Sequence, residues 1–220
     1  MQYCAAAPVP KLVPYSESLL SRCGNDGHRY CELYVGMAHP ASVNEVTGEL
    51  PAPEWLLYSH NHMWLDVTGD GLCHAGVDAF LAQALGKVEA VTYVHAKGRQ
   101  RPSAVVTARG LDFEIAFPNY FAVTACNLYL RAAPSRLTRQ PYTGGWLFEG
   151  RPEVESTAHL RSGAAAKEWM QEEQRRMSQY LQTCTGVAAD GGVPADDLDV
   201  YLDRGQRLAL FHEFFSSICE

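Results

Sequence analysis

Between Tyr58 and Cys126 the apolar residues fall into short β-branched and aromatic runs, each closed by turn chemistry such as Thr68-Gly69-Asp70-Gly71 or Ala96-Lys97-Gly98. Runs of about 4 to 8 residues suit strands, whereas a helix needs about 10 or more to present a continuous face. The middle of the chain is therefore expected to be mainly β, with strands at Met63–Val67, Leu72–Val77, Ala90–Val94, Ala104–Ala108, Phe113–Phe117 and Phe121–Ala125. One helix interrupts them. Asp78 supplies an N-cap oxygen, Phe80, Leu81, Ala84 and Leu85 form its apolar face, and Gly86 ends it.

The flanks have a different texture. Pro8, Pro10, Pro14, Pro40, Pro51 and Pro53 break up the first 57 residues, so residues 1–57 read as an irregular N-terminal arm with one short helix near Ser16–Arg22. After Trp146 the period lengthens. Trp169, Met170, Met177, Tyr180, Leu181 and Cys184 form a helical stripe assigned to packing, and a loop at Ala188–Asp197 precedes a final helix expected over Leu198–Phe215. The expected organisation is the arm, a β domain over 58–170 and a helical C-terminal extension over 171–220.

A chain of 220 residues can bury a core without disulfides, and 47% hydrophobic against 20% charged residues argues against disorder. The net charge of −7, with basic residues in only short clusters such as Arg99, Arg101 and Arg175, Arg176, speaks against nucleic acid as a partner. No apolar run approaches the roughly 18 to 20 residues of a spanning helix, and the first residues lack the basic and apolar regions of a signal peptide, so no membrane association is expected. Seven scattered cysteines without a C-x-x-C pair fit a reducing cytoplasm.

Generic catalytic motifs are absent: there is no phosphate-binding loop, nucleophile elbow or zinc helix. Cys23, His28, Cys31 and His39 carry ligand chemistry that could close a tetrahedral zinc site, but their spacing is not that of a common zinc knuckle. The expectation is a packed arm with free thiols, no resident metal and no cofactor. Cys73 and His74 share a strand and should point to opposite faces, one of them into the core.

Two groups of residues carry a family resemblance. The first is His62-x-Trp64, Gly69-Asp70-Gly71, Gly76-Val77, Asp78-x-Phe80 and Leu85-Gly86-Lys87-Val88. The second runs through Pro118, Asn127, Pro134, Leu137, Pro141-Tyr142 and Gly145-Trp146-Leu147. In order and spacing this pattern resembles the glycine cleavage system H-protein family, and Pro-Tyr-x-x-Gly-Trp is its most specific element. The resemblance implies a lipoyl-type barrel-sandwich hybrid of two small β-sheets. It also implies a lysine at a β-hairpin tip, carrying lipoate that shuttles between enzymes.

This chain departs from the family at that tip. Counting back from Pro118 and Asn127, the lipoyl-lysine position falls on Gly110, with Arg109 as neighbour, and Thr107 stands where the family has an acidic residue. The chain's lysines are Lys11, Lys87, Lys97 and Lys167. Arginine cannot substitute, because its guanidinium stays protonated. The expected role is a non-lipoylated, H-protein-like binding or scaffold module with a protein partner and no catalysis of its own. The alternative is a carrier or redox module, modified at an atypical residue such as Lys97 or using cysteine or metal chemistry. An enzymatic reading would need His60, His62, His74 and His95 to converge.

Overall fold

A computed structural model describes residues 2–4, 11–13, 30, 50–69, 71–94, 98–153, 157, 159–185 and 202–216. The chain divides into two compact units, residues 1–47 and 48–220. In the first, β1 (Gln2–Cys4) pairs antiparallel with β2 (Lys11–Val13), Tyr3 opposite Leu12. The helix expected near Ser16–Arg22 lies outside the described residues.

The second unit is mainly β, with two antiparallel sheets that do not close into a barrel. The larger holds β3 (Leu57–Tyr58), β4 (Met63–Val67), β5 (Cys73–Val77), β11 (Phe148–Pro152), β10 (Phe121–Cys126) and β7 (Gly98–Gln100), in that spatial order. The smaller holds β6 (Val88–Tyr93), β8 (Ser103–Ala108) and β9 (Leu111–Ala116), ordered β6-β8-β9. Period-two alternation explains β9: Leu111, Phe113 and Ile115 are buried while Asp112 and Glu114 face solvent. Strands β4 and β5 break that rule, since all but Val67 of their residues are buried. Both of their faces are covered.

That double cover corrects one expectation. Cys73 and His74 do point apart, Cys73 Sγ donating to the Gly150 carbonyl at 3.0 Å and His74 Nε2 meeting Glu149 Oε2 at 3.1 Å, yet both are buried. The outer face is not solvated, because Trp146 packs against the His74 ring in a T-shaped contact at 5.0 Å and Trp64 donates from Nε1 to the Pro141 carbonyl.

Helix α1 (Ala79–Leu85) forms as its caps dictate. Asp78 Oδ1 accepts from the Leu81 amide at 2.9 Å, and Gly86, at φ 61°, ends the helix by donating to the Ala82 carbonyl. Two single-turn helices, α2 (Tyr129–Ala132) and α3 (Arg136–Arg139), link β10 to β11. The extension supplies α4 (Gly163–Thr185) and α5 (Arg204–Phe215). Helix α5 starts later than expected from the apolar pattern, because Asp203 and Gln206 form a reciprocal capping box there. No helix among the described residues is long and apolar enough to cross a membrane.

Candidate functional site

Arg109 and Gly110 make the two-residue turn between β8 and β9, with Ala108 paired to Leu111. Their φ values of 55° and 69° are consecutive left-handed conformations, the mark of the type I′ turn that suits the twist of a tight hairpin. Gly110 is exposed, and a Cβ placed there meets no atom within 4 Å. Arg109 is half-buried. Its guanidinium lies against Gly86 so closely that a side chain at Gly86 would collide with it. Thr107 donates to Asp112 Oδ1 at 2.7 Å across the hairpin.

The flank of this hairpin is covered by the chain's own extension. Phe211 of α5 packs on Phe113 with ring centroids 4.4 Å apart. A small recess between hairpin and helix is lined by Leu85, Ala108, Arg109, Arg207, Leu210 and Phe211 among others. Sequence reasoning placed the tip correctly in a turn but did not foresee that a helix about 100 positions downstream would lie against it.

Pro141-Tyr142-x-x-Gly145-Trp146 is a packing element joined to the first strands. The Tyr142 hydroxyl accepts from the Ala79 amide at 2.9 Å, at the start of α1, and donates to the Pro51 carbonyl at 2.5 Å. Burial raises its pKa, so it stays protonated. Asn127 fastens the same segment: its side-chain amide donates to the Gly144 and Trp146 carbonyls, both at 2.9 Å. Gly145 is required by close approach, because a Cβ would sit 2.7 Å from the Arg136 carbonyl oxygen and 2.8 Å from that of Gln140.

Among the described residues, His60, His62 and His74 do not converge on one site. His60 is exposed at the residue level, yet partial desolvation of its ring, with the nearby charge of Arg161, lowers its pKa. His74 faces Glu149, and His95 lies outside the described residues. His62, fully buried, forms a separate cluster. Its Nδ1 is 2.7 Å from Asp78 Oδ2 and its Nε2 is 3.6 Å from Glu173 Oε2 on α4. Its ring is stacked between Phe80 and Trp169, with centroids 4.3 and 4.5 Å away. Glu173 was missed in the sequence, although an acid placed between Met170 and Met177 on a buried helical seam was a visible signal.

Cys23, His28, Cys31, His39 and Lys97 lie outside the described residues. Among the described residues no group of three or more His, Cys, Asp or Glu side chains is arranged to hold a metal. The thiols near the core are poor nucleophiles: burial pushes Cys73 well up and Cys126 to about 11.

No protein-family model matches the chain. Curated relatives do. The glycine cleavage system H protein of Nocardia farcinica is 32% identical over 103 residues, 44% of this chain and 76% of that protein. The H protein of Salmonella typhimurium is 27% identical over 125 residues, covering 56% of this chain and 97% of that protein. Among solved structures, a glycine cleavage system H protein from Mycobacterium marinum superposes with a TM-score of 0.45 at 19% identity, covering 56% of this chain and 98% of the other. With one relative above 30% identity aligned along three quarters of its length, and with His62-x-Trp64 bonded to Pro141-Tyr142 in the fold, the chain belongs to the glycine cleavage system H protein family.

Proposed function

We propose that this protein is a non-lipoylated member of the H-protein family that works by docking to a protein partner in the cytoplasm, without catalysis of its own. The observation that carries the reading is the residue pair at the hairpin tip. Gly110, where the resemblance puts the lipoyl-lysine, is exposed with open space around it, as a carrier position needs, yet it offers no amine. Neighbouring Arg109 is turned back over Gly86, and its guanidinium is not an acylation nucleophile. The buried histidines support the absence of catalysis, since each faces a carboxylate inside the protein, not a concave pocket with converging polar groups.

The test is the intact mass of the full chain coexpressed with a lipoate–protein ligase and supplied with lipoate. The expected spectrum shows the unmodified mass alone. A shift of one lipoyl group that disappears in Lys97→Arg would instead establish a carrier modified at an atypical lysine.

A further inference from the structure

The His62 cluster joins two parts of the chain. His62 and Asp78 belong to the stretch that carries the family resemblance, whereas Glu173 belongs to the extension. We propose that His62 is a proton-controlled latch fastening α4 and α5 over the hairpin side of the β domain, and that loss of its proton releases both helices and uncovers Phe80 and Phe113. The proposal rests on the docking reading above and assigns regulated exposure to the face next to the hairpin.

Ring chemistry sets the requirement. A neutral imidazole has one N–H; when Nδ1 gives it to Asp78, the bare Nε2 turns a lone pair toward the Glu173 carboxylate. The imidazolium donates from Nδ1 to Asp78 and turns its Nε2–H toward Glu173 at 3.6 Å, an ion-pair distance, so a positive charge stands between two negative ones. Water cannot substitute, because Phe80 and Trp169 close both ring faces and Phe215 of α5 approaches edge-on at 5.5 Å. Backbone geometry points the same way: His62 holds φ 62°, an uncommon conformation for a residue with a side chain, in a turn closed by its amide on the Ser59 carbonyl.

The groups facing the ring are few. Asp78 comes from the N-cap of α1, and Glu173 comes from α4 with its Oε1 held by Arg176 Nη1 at 2.9 Å. Arg176 also reaches the Glu213 carbonyl of α5 at 3.2 Å and lies over the Phe214 ring, so the two helices are coupled. Arg161 covers Trp169, and His60 stands two residues before. Burial works against charge on His62, but Asp78 and Glu173 outweigh it and hold the pKa above 6.5. A pKa raised in the folded state contributes stability that is complete below the unfolded value near 6.5 and is lost as the pH rises through the folded value. The latch therefore holds while His62 is protonated and weakens as the pH rises through its raised pKa.

Hydrogen exchange of the full chain, corrected for intrinsic rates and followed from pH 6 to 9.5 beside the His62 ring signals in NMR, tests this without any partner. Exchange in residues 163–185 and 204–215 is expected to rise several-fold as His62 titrates, while β8, β9 and β10 stay protected. Glu173→Gln keeps the shape of the seam and removes its charge. It is expected to exchange fast in both helices at every pH and to lower the His62 pKa. A flat profile in the wild type, a ring that does not titrate in this range, an equal step in Glu173→Gln, or simultaneous loss of protection in β8 would each overturn the latch. None of these outcomes bears on whether the hairpin tip is lipoylated.

Discussion

Replacing Trp146 by alanine is expected to cost about 3 to 5 kcal/mol, the range for truncating a buried large aromatic side chain. For a unit of this size that lowers the melting temperature by roughly 6 to 20 °C. Trp146 is 3% exposed, its ring caps His74 on the outer face of β5, and its carbonyl accepts from Asn127. Truncation would open that face to water and leave the buried His74 and Glu149 pair without its cover. Thermal unfolding followed by circular dichroism reads the effect directly. Trp55, 70% exposed, supplies the control: Trp55→Ala should melt within about 1 °C of wild type, because an exposed side chain of the same size has little burial to lose. A Trp146→Ala variant that melts like the control would remove the structural link between the two ends of the family pattern.

That link was readable in the letters because each motif residue has a local physical role. Asp78, Phe80, Leu85 and Gly86 encode cap, face and stop of α1, and the observed helix ends where those residues place it. Strands β4, β5, β8 and β10 begin or end within a residue of their expected bounds, since alternation and turn chemistry coincide there. Five strands escaped notice: β1 and β2 lie in the arm read as irregular, and the other three have identifiable reasons. Leu57–Tyr58 is too short to alternate, and Gly98–Gln100 is polar throughout. Phe148–Pro152 falls after Trp146, where the pattern reads as helical, and it contains a glycine and a proline that interrupt any strand alternation. In the fold Gly150 is a strand residue because the Ala122 carbonyl of β10 occupies the place where its Cβ would stand. The hairpin tip was found by counting from distant motif residues, and the left-handed pair Arg109-Gly110 gives it a local basis. The arrival of Phe211 on Phe113 and of Glu173 on His62 had no local basis. Both depend on where two helices of the extension dock, which periodicity within a helix does not specify.

Asp78→Ala is expected to match or exceed the loss in Trp146→Ala, because one side chain performs two buried tasks. Its Oδ1 caps α1 through the Leu81 amide, worth about 1 kcal/mol, and its Oδ2 is the 2.7 Å partner of His62. Removing one partner of a buried ion pair costs about 3 to 5 kcal/mol, since the remaining group keeps its desolvation penalty without its compensation. Asp78→Asn separates the tasks. Its side-chain oxygen can still accept from the Leu81 amide, but it places no charge beside His62, so the variant should fall between Asp78→Ala and wild type in urea unfolding at pH 6.5. The pH dependence distinguishes the two losses further. In the wild type, stability declines from pH 6.5 upward as His62 loses its proton; in Asp78→Asn the nearer of its two carboxylate partners is gone, the folded pKa falls, and that decline should flatten or reverse. If both variants unfold within about 1 kcal/mol of wild type at pH 6.5, His62 draws its stability from the rings that enclose it and not from the carboxylates on either side.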